Sequence, residues 1–158
     1  MSTQKEQLLP LASALTKRAQ QLCLGLESGG AEILDLVTPT TATLLKWWFG
    51  EDMVLSRSGL NFHVGQKQAI LNAIVAHEVL QSSSLKDLYT QVAPELLLEG
   101  NLLSKLAADK NAHPKYCLKM ATGTGKTWVL QALMIWQLLN KTAASAEGVD
   151  DVRLHGNF

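Results

Sequence analysis

Near the end of the 158-residue sequence, Met120-Ala121-Thr122-Gly123-Thr124-Gly125-Lys126-Thr127 brings together the residue types needed to hold a chain of phosphates. Such a chain has to be approached by bare backbone, bound by amides and neutralised. Gly123 and Gly125 allow the approach without a Cβ clash, and successive N–H groups at a helix start form an anion nest. Lys126 would then sit on the β- and γ-phosphates, and the Thr127 hydroxyl would coordinate a Mg²⁺ ion bridging them. The general pattern has glycine where Met120 stands, a departure from the strict Walker form. A tight strand-to-helix turn without a ligand is the bland alternative, and the segments on either side of the loop weigh against it.

Those segments must position the loop. Tyr116-Cys117-Leu118-Lys119-Met120 is short and mostly apolar, and it reads as a buried strand leading into the glycines. Trp128 to Asn140 is apolar on nearly all sides, the pattern of a helix sandwiched between a sheet and other helices. Farther upstream, Leu8, Leu11, Leu15, Ala19, Leu22 and Leu26 form an amphipathic stripe that ends at Ser28-Gly29-Gly30. A second helix is announced by Thr38-Pro39, a capping hydroxyl followed by a residue suited to the first helical position, and should run to about Trp48. Gly50 to Asn61 reads as a polar connection. Ile70 and Ile74, beside Leu71, Val75 and Val79, line a third helix closed by Ser82-Ser83-Ser84. Short helices broken by Pro94 and Gly100 are expected from Leu85 to His113, and the tail from Thr142 shows little pattern.

Met120 to Thr127 resembles motif I of the superfamily-two helicases and translocases, in which the first position is commonly not glycine. Asn61-Phe62-His63-Val64-Gly65-Gln66-Lys67-Gln68-Ala69-Ile70 resembles the adenine-reading Q motif that precedes motif I in many of those proteins. Gln66 stands at the glutamine position, and His63 stands where an arginine is usual. Taken together, Phe62 to Ile70 and Tyr116 to Asn140 most resemble the helicase-like subunit of type III restriction enzymes and its DEAD/DEAH-box relatives. The resemblance implies ATP and Mg²⁺ as cofactors, with Phe62, Gln66, Gly123, Thr124, Gly125, Lys126 and Thr127 as the nucleotide site. A side-chain amide such as that of Gln66 can pair with the N6/N7 edge of adenine. The resemblance also implies an α/β P-loop NTPase (RecA-like) fold: a parallel sheet with flanking helices, two such domains clamping ATP while the motor moves on nucleic acid.

Much of that machinery has no counterpart in the sequence. After Lys126 no hydrophobic run is followed by an Asp-Glu pair; Asp150-Asp151 follows Ala146-Glu147-Gly148-Val149, which does not read as a buried strand. Without that box no carboxylate holds the metal from the far side or orients the attacking water. The expectation is therefore an N-terminal fragment, mostly helical, with a single strand and an incomplete sheet. Residues 1–60 would form a helical N-terminal region, and residues 61–158 the beginning of the first ATP-binding domain. ATP would be the chain's own partner. DNA, and modification or specificity subunits, would be partners of the full-length parent, where hydrolysis would reside. A different class of reading is a truncated, inactive product or a helical interaction module, because one strand cannot make a sheet and the helix after the loop needs one to bury it.

Other constellations carry less. Lys+Arg 14 against Asp+Glu 14 leaves no net charge, so no electrostatic footprint marks a nucleic-acid binder. Lys17-Arg18 and Lys115 are too few to track a phosphate backbone. His77-Glu78-Val79-Leu80-Gln81 begins like a zinc-peptidase helix but has Gln81 in place of the second histidine. Asn140-Lys141-Thr142-Ala143 lacks the aspartate of a guanine-reading motif. Trp47-Trp48-Phe49 could stack on bases, yet Leu44, Leu45 and Trp48 share a helix face, which favours packing. Cys23 and Cys117 read as reduced core thiols. No stretch reaches the roughly 18 apolar residues of a membrane span, and the polar start is unlike a secretory signal, so a cytoplasmic protein is expected.

Overall fold

The computed structural model describes residues 10–108, 117–118, 120 and 123–148. Among the described residues there are eight α-helices, one π-helical turn and one 3₁₀ turn, and no strand. Helix α1, Pro10–Leu22, buries Leu15, Ala19 and Leu22, three members of the expected stripe. Leu26 is buried as well, just beyond the helix in a turn where Gly25 takes a positive φ of 80°. A single-turn helix, α2 (Ile33–Leu36), follows and buries Ile33.

Helix α3, Pro39–Phe49, starts as Thr38-Pro39 announces: the Thr38 hydroxyl accepts the Thr41 N–H at 3.2 Å and Pro39 opens the helix. The polar connection expected next is partly helical. Gly50 ends α3 and also caps α4, Glu51–Ser56, whose first turn carries Glu51 and Asp52, the charges a helix N-terminus favours. The Arg57 guanidinium then fastens α4 back onto α3, donating to the carbonyls of Trp47 at 2.7 Å and Trp48 at 2.8 Å. Its charge lies over the Trp47 ring.

Helix α5, Val64–Ile74, runs into the π-helical turn Val75–Val79, so the expected third helix is present with one wider turn at its end. Short elements then occupy the leucine-rich stretch: α6 (Leu85–Val92), the 3₁₀ turn Pro94–Leu98 and α7 (Leu102–Leu106). Helix α8, Lys126–Glu147, extends well past Asn140, because Ala143, Ala144 and Ala146 sustain a helix by propensity although they form no stripe. Of the expected strand, Tyr116 and Lys119 lie outside the described residues. Cys117, Leu118 and Met120 belong to no regular element, and Leu118 and Met120 pack half-buried against the core.

One hydrophobic cluster takes side chains from both sides of residue 60. Leu22, Ile33, Leu45 and Trp48 meet Ile70, Ile74, Val129 and Trp136 within it. The cluster encloses a polar knot around Glu78, which is 1% exposed. Its two oxygens accept from the Thr38 N–H, from the Thr41 hydroxyl at 2.8 Å and from the Trp136 indole N–H at 3.0 Å. Asn140 completes the knot by donating to Thr41 at 2.9 Å. An acidic group at the amino end of α3 is favourably placed against that helix's free amides. Buried polar groups so fully paired fix the crossing of α3, the π turn and α8 in one arrangement. Only one side of α8 reaches this core: Val129, Ala132, Trp136 and Asn140 are buried, whereas Leu130, Met134 and Leu138 are exposed.

Candidate nucleotide-phosphate site

The loop enters α8 through two residues in left-handed backbone, Gly123 at φ 80° and Gly125 at φ 71°, a region that L side chains avoid. Gly125 is the N-cap of a 22-residue helix and no side chain among the described residues caps it. The positive end of the helix dipole and its first amides therefore face the loop. Lys126 and Thr127 open the helix, and both are exposed. Met120 is described, while Ala121 and Thr122 lie outside the described residues.

The loop is braced from the start of α5, where His63 and Gln66 form a capping box. The His63 Nδ1 accepts the Gln66 backbone N–H, and the Gln66 Oε1 accepts the His63 backbone N–H at 3.0 Å. Gln66 is 6% exposed. Its side-chain amide donates to the carbonyls of Thr124 at 3.0 Å and Gly125 at 3.2 Å, and the His63 Nε2 meets the same Thr124 carbonyl at 2.9 Å. A Cβ on residue 125 would lie 2.4 Å from the Gln66 amide nitrogen, so a side chain there would displace the Gln66 amide from the loop as well as strain the backbone. Among the described residues nothing lies within 4 Å of a Cβ built on Gly123, so none of them closes that part of the loop to an incoming group.

Beside the loop is a cavity of about 610 Å³, a volume in the range that takes small-molecule ligands. Phe62, Gln66, Gly123, Thr124 and Gly125 all line it, so two blocks separated by more than fifty residues converge on one space. Lys126 and Thr127, which begin α8 between the lining residues Gly125 and Trp128, do not themselves line the cavity. Phe62 is half-buried and packs edge-on against Trp48, at 6.1 Å between ring centroids, and Phe49, at 5.8 Å. Trp48 and Phe49 are core residues, and Trp47, the third aromatic of that cluster, is exposed and faces the cavity. Trp128, next after Thr127, also lines it, and so does His63. Neither was singled out from the sequence for this cavity. Trp128 reads there as a member of an apolar helix, and His63 as a variant of a usual arginine; the signal available was their adjacency to Thr127 and to Gln66.

The residues present fit a nucleoside triphosphate. A Cβ-free loop and an uncapped helix terminus meet beside an aromatic-walled cavity, which suits a polyanion joined to a planar base. No group of three or more His, Cys, Asp or Glu residues able to hold a metal occurs among the described residues, and no helix among them is long and apolar enough to cross a membrane. The family model described as type III restriction enzyme, res subunit, matches residues 60–146, more than half of the chain and all of the cavity-lining residues from Leu60 onward. Comparison with curated proteins and with solved structures gives no match.

Proposed function

The chain belongs to the family of the type III restriction enzyme res subunit, and from that premise we propose that it is the ATP-binding N-terminal part of an ATP-dependent DNA helicase or translocase of a restriction-modification system. The observation that carries this reading is the convergence of Phe62 and Gln66 with Gly123, Thr124 and Gly125 on one cavity at the start of α8. Amides at the head of α8 would hold the phosphates, Lys126 would neutralise them, and the Thr127 hydroxyl would contact Mg²⁺ carried by the nucleotide. ATP, when bound, supplies the phosphoryl-transfer free energy that such motors convert to movement. Gln66 retains acceptor capacity on Oε1 after bonding His63, so it can take the adenine amino group, whereas guanine presents a second acceptor there.

Hydrolysis would need carboxylates that no Asp-Glu box after Lys126 provides, and a parallel sheet is proposed to complete the fold around α8. DNA and any modification or specificity subunits belong to the working parent, in the cytoplasm. The chain's share is to bind Mg-ATP weakly without turnover. Isothermal titration should detect that binding in the 158-residue protein and lose it in Lys126→Ala; equal binding by the two would overturn the proposal. A second reading, an inactive helical interaction module, draws on the exposed apolar side of α8, where Met134 is 71% exposed. It predicts a protein indifferent to ATP.

A further inference from the structure

We propose that His63 is a positioning residue for the phosphate loop, acting through the carbonyl of Thr124. The proposal rests on the nucleotide reading above only in taking this loop to be the one that meets phosphate.

The hydrogen bonds assign the ring's tautomer. The Thr124 carbonyl has no proton to give, so the Nε2 that lies 2.9 Å from it must donate. The Gln66 backbone N–H is a donor only, so the Nδ1 that it reaches at 3.4 Å must accept. The two bonds thus assign a donor role to Nε2 and an acceptor role to Nδ1, and both ring nitrogens are in use. One ring caps α5 and grips the loop that leads into α8.

The grip has a directional consequence. Gln66 ties the same Thr124 carbonyl at 3.0 Å and the Gly125 carbonyl at 3.2 Å, so two successive carbonyls are drawn toward α5. In a planar trans peptide the C=O and the following N–H point in opposite directions. Holding the Thr124 and Gly125 carbonyls toward α5 thus turns the N–H groups of Gly125 and Lys126 away from it, as two donors of an anion nest set before any anion arrives. A cap alone would need none of this, since a short Ser, Asp or Asn side chain serves α5 equally well. What histidine adds is a second polar atom on the far side of the ring, at the reach of the loop.

Three variants of the full chain separate the roles. His63→Asn keeps a capping acceptor and gives up the Thr124 bond, His63→Ala gives up both, and Lys126→Ala leaves the brace intact. In the nucleotide-free protein, the ¹⁵N order parameters of the Gly125 and Lys126 amides should fall in both His63 variants, from the rigid range of about 0.85 toward about 0.6, with Lys126→Ala like the parent at Gly125. The melting temperature of His63→Asn should stay within about two degrees of the parent. Mg-ATP affinity should fall about tenfold in both His63 variants. Parent-like loop order parameters in His63→Asn, or lowered ones only in step with a lowered melting temperature, would overturn the proposal. If the parent binds no Mg-ATP, the nucleotide reading fails, and the loop order parameters still decide the role of His63.

Discussion

Gly123 and Gly125 share a left-handed backbone but not the same reason for lacking a side chain. Among the described residues nothing but the φ of 80° opposes a Cβ at Gly123, whereas at Gly125 the φ of 71° is joined by Gln66 at 2.4 Å. Gly123→Ala should cost about 1 kcal/mol of stability, and Gly125→Ala at least twice that with loss of the Gln66 brace, as read by chemical denaturation. The two thiols contrast as well. Burial pushes the Cys23 thiol up to about 11, opposed in part by the nearby Lys67 charge, while Cys117 is exposed. Alkylation near neutral pH should modify Cys117 and spare Cys23, a difference that peptide mapping would show. Because folding raises that pKa, the associated stability is present below the thiol's ordinary range and lost as pH rises through about 11. The sequence reading of both cysteines as core thiols holds for Cys23 in part and fails for Cys117, where one residue of a short apolar run faces out. The two glycines were legible because few side chains can take their left-handed backbone. His63 was not, because its task is visible only once Thr124 lies beside it.

Between elements, the least legible feature was the polar knot, although its position in the rows was readable. Glu78 falls four residues after Ile74 and eight after Ile70, on the row that α5 buries. Asn140 likewise continues the buried series Val129, Ala132, Trp136. A polar residue in register with a buried apolar row needs a partner, and here both find theirs in Thr38, Thr41 and Trp136. Weighing His77-Glu78 only as a metal motif missed that signal. Removing the carboxyl strands the Thr38 N–H and the Thr41 hydroxyl proton and leaves the Trp136 indole only the Thr41 oxygen at 3.0 Å, so Glu78→Ala should destabilise the protein by about 3 kcal/mol in urea unfolding. Helix starts were read well where a capping side chain and a proline fall together, as at Thr38-Pro39. Helix α4 was missed because one glycine both ends α3 and starts the next helix, which no local propensity announces.

For the whole molecule, the sharing of a single core across residue 60 ties the N-terminal helices to α8. Composition and motif spacing could not foresee that, because the contacts join residues as much as a hundred positions apart, as Thr38 and Asn140 are. The exposed row Leu130, Met134 and Leu138 should bind a hydrophobic dye in the native state. Met134→Lys with Leu138→Lys should remove the dye signal and leave the melting temperature close to the parent's, since neither residue contributes to the buried side of α8. The four tryptophans divide evenly between two environments: Trp48 and Trp136 are 3% and 2% exposed, and Trp47 and Trp128 are 55% and 60% exposed. The exposed pair lines the cavity beside the glycine loop together with Trp48, and only Trp136 stands clear of it. The protein thus carries two intrinsic optical channels, a blue-shifted emission from Trp136 that reports unfolding and a red-shifted, quencher-accessible emission from Trp47 and Trp128 that reports whatever enters the cavity.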